Sequence, residues 1–407
     1  MENSSATAAR TTAARTTAAR TAQDAAATEV RPFRIEIPQA DVDDLRNRLA
    51  RTRWNTGLPG VEGWTRGVPA DYLKDLAAYW ADGFDWRAAE ARLNGFPQFL
   101  TEIDGQDIHF VHVRSAKAGA PALLLIHDWP GSFVQFTDVI EPLSRDFDVV
   151  VTSTPGIGFS GPLTSTGWTT GRIAGAFTTL MDRLGYGHYG VQGNGGGAWI
   201  AAEMGRLAPD AVTGIHVNGL VTFPSEDPAD FAGLTESEQT RLERLQNFRD
   251  DKMGFNAIQS TRPETLAFGL HDSPVGQLAW ITEKFKEWTD PASELPEDAI
   301  GRDHLLTNIS VYWFTGTAGS SAHLYYEMAH DPSAWAPKGR GTVPTAVAVA
   351  LPADVAIRRF AERDHHVVRW TEFDRGGNFL SLEQPELLTK DVREFFAGLA
   401  EDPAGPA

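Results

Sequence analysis

The chain has 407 residues, 42% of them hydrophobic and 22% charged, and a net charge of −18. That composition suits one large folded domain or two, and the acidic balance argues against nucleic acid or an anionic membrane surface as a partner. There is no cysteine, which excludes disulfides, thiolate catalysis and cysteine-based metal sites, and no apolar run approaches the ~20 residues that span a bilayer.

The N-terminus repeats every five residues as TAARTTAARTTAAR over residues 7–20. It has no large apolar side chain to offset the entropy of ordering, so residues 1–30 read as a disordered or transiently helical tail. It lacks twin arginines and an apolar export segment, so a cytoplasmic location is expected.

Residues 31–96 follow as a helical region. Val42, Leu45 and Leu49 fall at helical spacing behind Gln39, Ala40 and Asp41, which predicts a capped amphipathic helix. The run DYLKDLAAYWADGFDWRAAEARLN adds one or two more helices. The period then changes. QFLTEIDGQDIHFVHVRS reads as two strands around a turn at Asp104 and Gly105.

From residue 97 to 219, apolar runs alternate with helical stretches: ALLLIH, DVVVTS, YGVQG and VTGIHVN are the strand candidates. Continuous apolar strands between helices predict a mostly parallel sheet covered on both faces. Residues 220–330 lack strands and are rich in aromatics and charge, which reads as a helical lid over the sheet's C-terminal edge, where open α/β sheets bind ligands. Residues 331–402 return to sheet with TVPTAVAVAL and HVVRWTEF and close on the helix PELLTKDVREFFAGL.

Several runs together carry a family resemblance: PFRIEIPQADVDDLRNRL, DWRAAEARLNGFPQFLTEIDGQDIHF, HDWPGS, HDSPVG, LLTNISVYWFTGT and DRGGNFLSLEQPELL. On these the chain resembles the bacterial and microsomal-type epoxide hydrolases from about residue 31 to 400. The resemblance implies an α/β-hydrolase fold with an N-terminal meander and an inserted lid. It also implies the family's chemistry. An aspartate on a strand-to-helix elbow attacks the epoxide to give an ester, a histidine oriented by an acid activates water, two lid tyrosines donate to the epoxide oxygen, and backbone N–H groups hold the oxyanion.

Carried across residue by residue, the resemblance exposes departures. The pattern Gly-Gly-Asp-Trp-Gly reads Gly193, Asn194, Gly195, Gly196, Gly197, so Gly195 stands at the nucleophile's position and Gly196 at the tryptophan's. The pattern Gly-Gly-His-Phe reads Gly376, Gly377, Asn378, Phe379. The acid is retained as Asp354. Tyr325 matches one lid tyrosine, and Phe255 stands for the other. In the His-Gly-Trp-Pro motif, read here as His127, Asp128, Trp129, Pro130, Asp128 replaces glycine.

These departures set the expectations. Without the elbow carboxylate and indole, the pocket floor should be wider and less acidic, with room for a bulky apolar ligand. Asn378 should pair with Asp354 or turn to the ligand. Asn194 should tolerate a positive φ on the elbow, or touch the substrate with Gly195, Phe255 and Trp313. Trp129 and Gly196 should supply oxyanion-hole N–H groups. Asp128 is either a relocated acid or base facing the ligand or an acceptor facing backbone; facing an apolar pocket, its pKa should rise. His127 reads as structural, and His365 with His366 lack a third ligand for a metal.

Asp128, Tyr325, Asp354 and Asn378 are thus the candidate catalytic groups. The leading expectation is a non-hydrolytic enzyme (a cyclase, isomerase, lyase or pericyclase) acting on a bulky apolar natural-product intermediate. Two alternatives stand beside it: a ligand-binding pseudoenzyme, and a hydrolase in which Asp128 or Asp354 activates water. No cofactor or metal is expected, the partner is a small molecule, and a homodimer is left open.

Overall fold

The computed structural model describes residues 29–401 except positions 56, 226, 335 and 337; the repeats at 7–20 lie outside the described residues. Among the described residues nine strands form one sheet: β1 Arg31–Phe33, β2 Gln98–Ile103, β3 Gln106–Val113, β4 Ala122–Ile126, β5 Asp148–Thr152, β6 Tyr189–Asn194, β7 Val212–Asn218, β8 Pro344–Ala350 and β9 His366–Phe373. Their order is β1-β2-β3-β5-β4-β6-β7-β8-β9. The first three strands and the β3–β5 pair are antiparallel, and every pair from β5 to β9 is parallel.

The predicted turn between β2 and β3 forms as read. Asp104 and Gly105 both adopt positive φ, 54° and 76°, which matches the twist of the hairpin they join. The central strands are buried along their length; all five residues of β4 are inaccessible, with helices on either face of the sheet. Burying each such Leu or Ile contributes roughly 1.5–3 kcal/mol before the entropy cost.

The helix Gln39–Ala50 buries Val42, Leu45 and Leu49 as their spacing predicts. Its cap differs from the sequence reading. Pro38 holds the N-cap position, and no side chain caps the first turn. Proline fixes the entering backbone there, and Asp41 in the first turn still complements the helix dipole.

Between β7 and β8 the chain runs through helices, including Gly254–Thr261, Pro263–Asp272, Pro274–Trp288, Arg302–Thr315 and Thr317–Ala329. The N-terminal helices clamp this block. Trp80 Nε1 donates to Ser310 Oγ at 2.9 Å, Tyr72 Oη donates to Glu297 Oε2 at 2.5 Å, and Trp86 packs on Phe314 with ring centroids 4.7 Å apart. The lid is thereby held over the ends of β4 and β6. No helix among the described residues is long and apolar enough to cross a membrane.

Candidate active site

The elbow after β6 is built for close approach. Gly195 takes φ +51° between β6 and the helix Gly196–Leu207. A side chain there would be strained by the backbone alone. At Gly197 a Cβ would lie 2.3 Å from the carbonyl oxygen of Ile126, so only glycine lets the helix start against the end of β4.

The loop after β4 faces this elbow and supplies its carboxylate. Asp128 Oδ1 accepts from the Gly196 N–H at 2.7 Å and from the Trp129 N–H at 2.8 Å. Asp128 Oδ2 accepts from Asn378 Nδ2 at 2.9 Å. The three residues that meet at this carboxylate are 68 and 250 positions apart from it in the longer two cases.

The carboxylate sits where a side chain on Gly195 would go. A Cβ on Gly195 would stand 2.0 Å from Asp128 Oδ2 and 2.3 Å from its Cγ. This corrects the expected wide, less acidic floor. The space over Gly195 is filled, and a carboxylate fills it from the neighbouring loop.

Three donors and a helix N-terminus favour the charged form of Asp128. Burial outweighs them and pushes its pKa up to about 6. The carboxylate is enclosed yet reachable. Asp128, Gly195, Gly196, Asn378 and Tyr325 all keep partial accessibility although they lie beneath the lid, so open space adjoins them.

Aromatic rings from the lid wall this space. Phe255 stacks on Trp129 with centroids 5.4 Å apart and planes within 5°, and Tyr325 meets Trp129 edge-on at 5.4 Å. Trp288 closes the group at 5.4 Å from Phe255 and 6.1 Å from Trp129. Trp129 Nε1 donates to Ser321 Oγ, which fixes the indole. Phe255 also carries the buried Lys284 Nζ at 4.9 Å from its ring centroid, a cation–π contact that holds the ring in place.

The Tyr325 hydroxyl has no hydrogen-bond partner among the described residues. Burial and then the Asp128 charge raise its pKa well above the ordinary value, so the phenol stays protonated and available as a donor. Tyr312, by contrast, donates to the Gly131 carbonyl at 2.7 Å and is spent on structure.

An amide network lies under the carboxylate. Asn194 Nδ2 donates to the Asn378 carbonyl at 2.7 Å, Asn218 Nδ2 donates to the same oxygen at 2.9 Å, and Gln135 Nε2 donates to Asn194 Oδ1 at 3.0 Å. Asn378 is also tied to the lid through its own N–H, which donates to the Trp288 carbonyl at 2.7 Å. Its side-chain amide is turned to Asp128 and not to Asp354, against one of the two orientations expected.

Asp354 lies apart from this contact. Its Oδ2 accepts from the Ala350 N–H at 2.7 Å, and burial raises its pKa to about 7. His127 behaves as a structural residue. Nε2 accepts from the Thr154 N–H, Nδ1 donates to the Asp128 carbonyl, and burial lowers its pKa to about 4.

The structure thus brings together Asp128, Trp129, Gly195, Gly196, Phe255, Tyr325 and Asn378. Two more expected site residues stand apart as Asp354 does. Asn194 does not adopt a positive φ, a role Gly195 takes, and its fully buried amide is spent on Gln135 and Asn378 instead of facing the open space. Trp313 carries the Arg48 guanidinium 5.9 Å from its ring, beside the N-terminal helix, and makes no ring contact with the aromatic wall. Its neighbour Tyr312 takes the inward face of that helix. Trp288, Gln135 and Ser321 went unread, because nothing in their local pattern marks them; only the folding of distant segments aims them at Trp129 and Asp128.

Comparison with known proteins fits this fold. The description "Epoxide hydrolase N terminus" matches residues 30–136, and "alpha/beta hydrolase fold" matches residues 121–261. A Stigmatella aurantiaca protein with the name "Putative epoxide hydrolase" is 41% identical over 91% of this chain and 85% of its own length. Epoxide hydrolase 1 of Sus scrofa is 34% identical over 91% and 89%. The crystal structure of juvenile hormone epoxide hydrolase from the silkworm Bombyx mori superimposes with TM-score 0.84 at 30% identity, covering 92% of this chain and 95% of that one.

Proposed function

The chain belongs to the epoxide hydrolase family, and from that premise we propose that it acts on a largely apolar, oxygen-bearing small molecule through one carboxylate, Asp128, opposite one phenol, Tyr325, without histidine-driven hydrolysis of an ester. In this reading Gly195 and Asn378 occupy the positions of the family's nucleophile and base. The product is then an isomer of the substrate, formed by cyclisation or isomerisation, or the unsaturated product of an elimination that releases a leaving group.

One observation carries the reading: the carboxylate that fills the elbow is held by donors alone, and among the described residues no imidazole bonds to it. Asn378 offers an N–H to Asp128 and has no basic nitrogen to deprotonate water. The histidine nearest in the chain has both ring nitrogens engaged. With its pKa near 6, Asp128 is ionised at neutral pH yet basic enough to take and return a proton in an apolar site. Tyr325 would donate to the substrate oxygen as charge develops there, and the aromatic wall would orient an apolar body.

The test is a panel of oxygenated apolar compounds, epoxides included, turned over in ¹⁸O-labelled water. Unlabelled products, at the substrate's mass or at that mass less an eliminated group, support the reading; catalytic release of labelled diol sinks it. A second reading keeps hydrolysis. Asp354, with its pKa near 7, is the group it relies on to deprotonate water, and the names of the relatives favour it. The labelled-water experiment separates the two.

A further inference from the structure

The elbow and the Asp128 side chain are sterically exclusive. No atom can stand on Gly195 while Asp128 Oδ2 lies 2.0 Å from its Cβ site. The carboxylate is also oriented asymmetrically. Oδ1 is held by two backbone N–H groups, whereas Oδ2 has one donor, and the residue keeps partial accessibility beneath the lid. A carboxylate with one oxygen pinned by paired N–H groups and a lone pair left free on the other is arranged to form an ester.

We propose that Asp128 is a nucleophile toward epoxides and that the reaction stops at the Asp128 ester. A lone pair of Oδ2 forms a bond to an epoxide carbon, and that carbon's bond to the ring oxygen breaks. The ring oxygen takes the proton of the Tyr325 phenol, and solvent returns a proton to the phenolate. Water adding to the ester would place its oxyanion on the Trp129 and Gly196 N–H groups, but the side chain in contact with Oδ2 is an amide and removes no proton from water. Epoxides are therefore captured in a single turnover, and the same oxygen serves as a base toward substrates that carry no strained ring. The inference rests on the non-hydrolytic reading of this site.

The experiment incubates the full chain with excess styrene oxide, quenches in acid, and reads intact mass and peptide maps. One equivalent of the epoxide should appear on the protein, on the peptide that contains Asp128. D128N should lower that adduct ~100-fold or more, and Y325F should slow its formation ~10-fold or more, on the scale set by removal of a nucleophile or of one donor. N378H should convert capture into turnover: less adduct at steady state and diol in excess over enzyme.

An adduct confined to other residues, or none on wild type under conditions that alkylate exposed side chains, overturns the proposal. Isomerisation of another substrate in that same preparation would leave the non-hydrolytic reading standing. Catalytic diol from wild type overturns the arrest and that reading together. Because the decisive map is made on the unaltered protein, misfolding of a variant does not blur the outcome.

Discussion

The loop after β4 contributes side chains to the site, and the elbow after β6 contributes almost none. Residues 127–131 bring a carboxylate, an indole and one N–H. Residues 193–197 bring one N–H and an absence of side chains that lets everything else approach. The same two loops in an elbow with a charged tip would divide the work the other way. The difference teaches that the position of a charge in space and its position in sequence are separable, provided that the loop giving up its side chain becomes glycine.

The largest effect should come from putting a side chain back on the elbow. Gly195→Asp in the presence of Asp128 places two carboxylates in one space and a Cβ on a strained backbone. Destabilisation of more than ~4 kcal/mol, or failure to fold, is expected by thermal or urea unfolding, and Asp128→Gly in the same chain should recover much of it. If Gly195→Asp folds as well as wild type, the two loops do not compete for the site.

Asp128→Asn keeps the shape and removes the charge. Activity on the true substrate should fall ~10³-fold or more, read as kcat/KM, with a smaller change in stability. Retention of activity would return the chemistry to the elbow or to Asp354.

Asn378→Ala should act through Asp128. Its N–H favours the charged carboxylate, so its loss raises the Asp128 pKa above about 6. The acid limb of the pH–rate profile should move upward, and stability should fall by roughly 1 kcal/mol as the side-chain bonds to Asp128 and Asn194 are lost, while the backbone carbonyl that Asn194 and Asn218 donate to is retained. An unmoved limb would show that another group titrates.

Tyr325→Phe should separate function from stability. The hydroxyl has no partner among the described residues, so unfolding should change by under ~0.5 kcal/mol. Turnover should fall ~10-fold or more if the phenol donates to substrate.

The smallest effect is on stability against pH. Asp354 titrates at about 7 when folded, above its ordinary value, so its contribution is present at low pH and is lost as pH rises through 7. Stability should decline by on the order of 1 kcal/mol or more between pH 6 and 8, and Asp354→Asn should flatten that slope. A slope unchanged by the variant would assign the titration elsewhere, Glu383 with its pKa near 8 being the next group to remove.

Much of the fold was legible because it depends on local pattern. The runs ALLLI, DVVVT and YGVQGN are strands because apolar residues without polar alternation suit a doubly covered sheet, and Asp104 with Gly105 turns because both tolerate positive φ. The residue types at 128, 195, 325 and 378 were legible too, and the resemblance to a family made their departures visible.

What the chain alone determined, then, is the order of strands and helices and the chemistry available: an aspartate gained at 128, no side chain at 195, an amide at 378. Only the tertiary structure decided that these are one site. Side-chain pattern reports the period of the backbone beneath it, whereas the meeting of Asp128 with Gly196 and Asn378 depends on how β4, β6 and the segment after β9 are stacked edge to edge. That stacking turned an expected vacancy over Gly195 into an occupied seat, and it buried Asn194 where an exposed contact had been expected.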